Sequence, residues 1–367
     1  MSMRYSARAL FAACTLAVVC TASAQDKPKA KKDSTKVKAP KDSTRTKGDA
    51  AKVPHLWASA APLELTLKAN LKMLRRDKKA NSPYHTASFT YTDADGKPQE
   101  VPLRVKTHGI WRLAHCANPP LRLNFSNKLA KGTVFHDAEK PKMVTPCGND
   151  KDSEQYVLQE FQLYRIYQLI TPMSHRARLI RITFADSATG KADAPKYAFL
   201  FEDPEVMAVR LGGTLIKQKG AGPDDLNPDV AAIAYLFEYM IGNTDFSFWG
   251  LHNGELVGLP TGDNLPVAYD FDFSGAVNTH YATVDPQLPI KRVRQRLWRG
   301  YCKENASVPA AIETFRAQKS AIYALYSDDI GKLLSPSIAK ETLEYWDEFY
   351  KKLERPQDFL DSCEGKS

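Results

Sequence analysis

Leu63, Leu65 and Leu67 alternate with polar residues, and strand-like stretches return over residues 87–92 and 101–106, on either side of an Asp95-Gly96 turn. A side-chain period of two puts one apolar row on one face of an extended chain, so this region is expected to fold as antiparallel strands with hairpins. Residues 121–125 and 142–144 add two short strands. A helix is then expected over residues 154–170, opened by Asp152 with Gln155 three positions on and stopped by Thr171-Pro172. Strands over 178–184 and 197–201 complete the first half. The second half changes character. Asn227-Pro228 is an N-cap followed by proline at the first helical position, Val230, Ile233, Ala234, Phe237 and Ile241 share one helix face, and Gly242 is the stop. Helices over 310–326 and 338–353 follow. Strands first and helices second predict an α+β fold of two lobes, a strand-rich N-lobe with one helix over 55–202 and a helical C-lobe over 203–367, with a cleft between them.

Upstream of Pro54 this patterning is absent. Arg4 and Arg8 precede an apolar run over residues 9–20 and the small-residue site Ala22-Ser23-Ala24, which predicts a signal peptide over 1–24, cleaved near Ala24, and export to the periplasm or beyond. The run is short of the ~20 apolar residues that span a bilayer. A lipoprotein reading on Cys20 is disfavoured by bulky Val19. Residues 25–54 are rich in Lys, with near-repeats at Lys32-Asp33-Ser34-Thr35-Lys36 and Lys41-Asp42-Ser43-Thr44-Arg45, and read as a flexible linker or an electrostatic tether to an anionic envelope surface. The first 52 residues carry twelve Lys and Arg against four Asp, so of the formal charge of +9 only +1 remains beyond them. That near-neutral remainder argues against a nucleic-acid-binding domain.

Export leaves four cysteines, Cys116, Cys147, Cys302 and Cys363, in an oxidising compartment. Three pairings are open. Cys116 with Cys147 and Cys302 with Cys363 is favoured because each pair stays within one half. No CxxC spacing supports zinc.

The densest polar cluster follows the Asn227 helix, from Gly242-Asn243-Thr244-Asp245 to His252-Asn253. Shortly after comes Val267-Ala268-Tyr269-Asp270-Phe271-Asp272-Phe273, which reads as a buried strand carrying two carboxylates. Burying Asp270 and Asp272 without a cation costs several kcal/mol, so a divalent ion, magnesium or calcium by its oxygen donors, is the expected partner. Turn and capping roles are the alternative for either segment alone. Glu160 lies among Tyr156, Val157, Leu163 and Tyr164 on an apolar helix face and needs a cation. Lys142 and Lys106 on strands are the candidates, Lys142 preferred, with Arg165 as the local alternative. The basic run Lys291-Arg292-Val293-Arg294-Gln295-Arg296-Leu297-Trp298-Arg299 reads as a solvated helix face with Val293, Leu297 and Trp298 inward, or as an anion pocket.

Gly242-Asn243-Thr244-Asp245 with Asn253, then Tyr269-Asp270-Phe271-Asp272, resembles the C-terminal part of atypical protein kinases, above all the spore-coat CotH-like family. Residues 103–109 and 120–125 resemble that family's paired strands. The resemblance implies a protein-kinase-like two-lobed fold and a magnesium- and ATP-dependent phosphotransferase acting on an envelope or extracellular protein. It casts Asp245 as the catalytic aspartate, Asn253, Asp270 and Asp272 as metal ligands, and Lys142 or Lys106 with Glu160 as the nucleotide-binding pair. No GxGxxG loop accompanies these motifs; Gly212-Gly213 reads as a turn. The second expectation, from a different class, is a non-catalytic binding or structural module of the cell envelope.

Overall fold

Alternation in the first half becomes pairing that runs further than a stack of hairpins. The computed structural model describes residues 55–79 and 81–363; the signal peptide and the linker expected over 1–54 lie outside them. In chain order come β1 (Leu63–Ala69), α1 (Leu71–Arg76), β2 (His85–Thr92), β3 (Pro98–Thr107), α2 (Trp111–His115), β4 (Leu121–Phe125), α3 (Asn127–Ala130) and β5 (Lys142–Val144). Then follow α4 (Lys151–Ile170), β6 (Ala177–Asp186), β7 (Lys196–Phe201), α5 (Pro204–Arg210), β8 (Thr214–Ile216) and α6 (Pro228–Ile241). The chain continues through β9 (Gly254–Gly258), β10 (Asn264–Ala268), α7 (Val308–Ala324), α8 (Pro336–Lys352) and α9 (Gln357–Leu360). All described residues belong to one compact unit.

Strands β1 to β7 close into a barrel in the order β1-β2-β3-β4-β5-β7-β6. Every pairing is antiparallel except the seam, where β1 lies parallel to β6 from Leu63 opposite Ile180 to Ala69 opposite Asp186. The expected two-lobed, kinase-like α+β fold is therefore corrected to a closed, mixed seven-stranded barrel. The physical reason is edge satisfaction. Strands β6 and β7 return after α4 to cover the free hydrogen-bonding edges of β1 and β5, and a closed sheet leaves no edge. Nor is the second half purely helical, for β8, β9 and β10 form a separate three-stranded sheet.

Inward residues of the alternating strands, among them Leu67, Phe89, Val105, Leu123 and Ile182, fill the barrel. Phe135 plugs it, stacking 4.8 Å from Phe125 and 5.3 Å from Phe89. A second core lies outside, where α4 packs between β7 and α6. Tyr167 stacks on Phe237 at 4.3 Å, and Tyr164 meets Phe199 and Phe271.

Three local expectations also change. The cap of α4 is Asp150, which accepts the Ser153 N–H at 2.8 Å; Gln155 is occupied instead by Leu333 O and the Ser335 N–H. Strand β10 stops at Ala268, and Asp270 takes a positive φ of 65°, which breaks the expected strand over 267–273. Residues 291–299 form no helix. Trp298 is buried, Arg296 stacks 3.5 Å over Tyr345, and Arg299 donates to the Thr244 and Phe246 carbonyls.

Cys116 bonds Cys147 and Cys302 bonds Cys363, with Cα atoms 4.7 and 5.0 Å apart. Among the described residues no helix is long and apolar enough to cross a membrane.

Candidate functional site

The site begins where α6 ends. Gly242 takes the left-handed C-terminal position at φ 66°, and a Cβ there would stand 2.2 Å from the Tyr345 hydroxyl. The chain then turns so that Asn243 Oδ1 accepts the Asp245 N–H at 3.0 Å. Both Asp245 carboxylate oxygens are held. His252 Nε2 lies 2.9 Å from Oδ1, and Asn253 Nδ2 donates to Oδ2 at 3.1 Å and to the Asp245 carbonyl at 2.7 Å. That hydrogen bond raises the His252 pKa, Asp245 supplying the negative charge.

Asn253 sits at φ 48°, and its carbonyl accepts the Tyr269 N–H at 3.1 Å, which delivers Asp270 to the same place. The Asp270 N–H donates to Tyr164 Oη at 3.0 Å. Its carboxylate makes neither a hydrogen bond nor an ion-pair contact with any described residue, although it is half-buried. Burial raises its pKa, Arg112 and Lys142 oppose the rise, and Asp245 adds to it. Asn253 Oδ1 is likewise without a donor among the described residues.

Asp272 faces the other way. It is 4% exposed, accepts the Tyr281 hydroxyl at 2.9 Å and lies 3.9 Å from Arg112 Nε. The same guanidinium reaches Glu160 at 4.0 Å and donates to the Thr145 carbonyl. Glu160, 1% exposed, has a pKa pushed well above the usual carboxylate range by burial and by the charges of Asp272 and Asp270. For Asp272, burial and then Asp270 raise the pKa to about 7.

The expected lysine–Glu160 pair does not form, because the cation of Glu160 is Arg112. Helix α2 follows Gly109, at φ 100°, buries Arg112 and ends at Cys116, which the disulfide ties to Cys147. The alternative partner, Arg165, binds Asp328. Lys142, 6% exposed, lies 3.9 Å from Glu255 and over the rings of Tyr269 and Phe201 at 4.4 and 4.9 Å. Burial lowers its pKa while Glu255 and Asp270 support the charge. Glu255 is in turn bound by the fully buried His175 at 2.9 Å. Lys106 rests over Tyr84 at 5.2 Å and has no carboxylate partner among the described residues. Sequence reasoning missed Arg112, Glu255, His175 and Tyr281. Only Arg112, a charge between Trp111 and Leu113, carries a local hint.

The structure thus gathers Asp245, Asn253 and Asp270, sets Lys142 within electrostatic reach of Asp270, and sends Asp272 and Glu160 to Arg112. Among the described residues no group of three or more His, Cys, Asp or Glu side chains is arranged to hold a metal ion. Asp270 and Asn253 nevertheless offer hard oxygen donors, and Asp270 stands beside the like charge of Asp245. That donor set fits magnesium, which keeps only one or two carboxylates and completes its octahedron with phosphate oxygens and water. Asp272, already bound by Tyr281 and Arg112, falls outside such a set. No known protein family's sequence model matches the chain, and no curated protein matches it.

The raised pKa of Asp272 has a signed consequence. A carboxyl that binds its proton more tightly folded than unfolded stabilises the fold fully below about pH 4, and that contribution fades as pH rises through about 7. Between pH 5 and 8 the parent is expected to lose about 2 kcal/mol more stability than Asp272→Asn in urea unfolding. Equal losses in the two chains rule out the perturbed carboxyl.

Proposed function

We propose that the chain is an exported, magnesium-dependent phosphotransferase that moves a phosphoryl group from a nucleotide such as ATP to a hydroxyl of an envelope or extracellular protein. The observation that carries the reading is Asp270: a half-buried carboxylate with no hydrogen-bond or ion-pair partner among the described residues, beside the open Asn253 oxygen and the doubly held Asp245. Asp245 receives the acceptor's proton as the hydroxyl oxygen bonds to phosphorus and the nucleoside diphosphate leaves. His252 and Asn253 fix the carboxylate so that its orientation is set before the acceptor arrives. Asp270 and Asn253 would hold the magnesium ion, whose charge would offset that of the phosphate oxygens. Lys142 supplies a fixed positive charge on the barrel side. Oxidised cysteine pairs and the N-terminal leader pattern support export.

Thermal shift on the purified chain tests this reading. Magnesium with ATP at a hundred times its Kd adds about 2.7 kcal/mol, a rise in Tm of roughly 4 °C. Asp270→Ala is expected to lose that rise while still unfolding cooperatively. A parent chain with no response to the pair, and no phosphate transfer to a mixed envelope-protein acceptor, would leave a binding or structural module of the envelope in its place.

A further inference from the structure

Register on the barrel wall aligns three cations. Lys106 on β3 stands directly opposite Arg122 on β4, and Arg122 stands opposite Lys142 on β5. Their neighbours Val105, Leu123 and Met143 point into the barrel, so these three share its outer face. Like charges on directly paired positions repel, so such a row destabilises the sheet unless anionic groups offset it. Aromatic rings close both ends, Tyr84 beside Lys106 and Phe201 beside Lys142.

Nearby carboxylates answer only part of this charge. Asp203 binds Arg122 at 3.0 Å while also capping α5, and Glu255 stands 3.9 Å from Lys142 with its other oxygen on His175. Most of the N–H donors remain open. Arg122 uses one of its five on Asp203, and neither ammonium donates a hydrogen bond to any described residue, although Lys142 is 6% exposed. The neighbouring His108 is driven to a pKa of about 3 chiefly by burial, and the charges of Lys142, Arg122 and Lys106 add to the fall. Strands spaced about 4.8 Å apart spread the row over roughly 10 Å, a length suited to several linked phosphates rather than to one carboxylate.

We propose that Lys106, Arg122 and Lys142 form a binding row for a linked-phosphate chain, with Arg122 as its central ligand. The row rests on the phosphotransferase reading for its purpose, since it would hold the phosphate tail of the donor, but its test needs neither metal nor turnover. Planar, multidentate guanidinium contacts suit phosphate oxygens, and the two flanking ammonium groups act as point charges.

Calorimetric titration of the whole chain in EDTA, with tripolyphosphate, orthophosphate, ATP and AMP as probes, decides the matter. Tripolyphosphate is expected to bind about tenfold or more tighter than orthophosphate, and Arg122→Gln to weaken it by about tenfold or more. Arg122→Lys recovers part of the loss. Lys106→Gln, which breaks no ion pair, weakens binding about fivefold, and Arg122→Gln combined with Asp203→Asn guards against misfolding from an unpaired aspartate. Tighter binding of ATP than of tripolyphosphate identifies a nucleotide tail as the source; equal binding identifies the phosphate chain alone. Either supports the row. A parent that ignores tripolyphosphate, or folded Arg122 and Lys106 variants that bind as the parent does, overturns it. Tripolyphosphate binding that depends on Arg122 in a chain without transfer activity removes the phosphotransferase reading and leaves the row standing.

Discussion

An Asp245→Asn chain is expected to transfer phosphoryl groups about two to four orders of magnitude more slowly than the parent. Asparagine keeps the size of aspartate and an oxygen for the Asn253 Nδ2 donor, which lies 3.1 Å from the carboxylate, so the loop should hold its shape. The side chain loses its charge, its capacity to take a proton and one of its two acceptor oxygens, the one facing His252 Nε2. Melting temperature should stay close to that of the parent, and substrate binding should change little, which places the loss in kcat. His252 supplies an independent readout. Its pKa is raised by the hydrogen bond to Asp245, so the NMR titration midpoint should fall toward the ordinary histidine value in the variant. A variant that keeps full turnover while the His252 midpoint falls would show that Asp245 is not the base.

Arg112→Met is expected to cost about 3–5 kcal/mol, the usual penalty for removing one partner from a buried charge cluster. Arg112 is the only cation in ion-pair contact with Glu160 and Asp272 among the described residues, and its guanidinium also holds the Thr145 carbonyl. The loss should be greater at pH 8 than at pH 5. Both carboxyls bind protons unusually well in the fold, so mild acid neutralises the groups that the arginine would otherwise offset. Adding Glu160→Gln and Asp272→Asn to Arg112→Met should restore a large part of the stability. Urea unfolding of the parent, the single variant and the triple variant measures this. A loss under about 1 kcal/mol at pH 8 would mean that the cluster behaves as a solvated surface pair.

Local chemistry was readable residue by residue. Strands β4 and β5 are legible at their observed bounds because each is a short alternating or apolar run. Helix α6 declares both ends, since Asn227 Oδ1 accepts the Val230 N–H at 3.1 Å and Gly242 supplies the left-handed stop. Asp245 and Asn253 are likewise placed together by a short loop. Long-range partners were not readable. Barrel closure depends on β1 meeting β6, and no local pattern in either strand names the other. The sequence shows Glu160 as an acid on an apolar helix face, but the cation that meets it arrives from a five-residue helix that follows the Gly109 turn and ends at a disulfide-bonded cysteine. Asp270 and Asp272 read as neighbours on one strand face because Tyr269, Phe271 and Phe273 frame them. The positive φ at Asp270 breaks that register, so that Asp272 meets Tyr281 and Arg112 while the Asp270 carboxylate contacts none of the described residues.

The parallel seam also sets an order of events during synthesis. Leu63 pairs with Ile180, so at ribosomal speed β1 emerges roughly 6 to 23 s before its closing partner. In that interval its outer hydrogen-bonding row is a bare template for strands of other chains. Glu64 and Lys68, on the face of β1 turned away from the barrel interior, are the kind of charges that discourage such a meeting. The nascent chain therefore carries its own protection against intermolecular pairing until β6 arrives to take the edge.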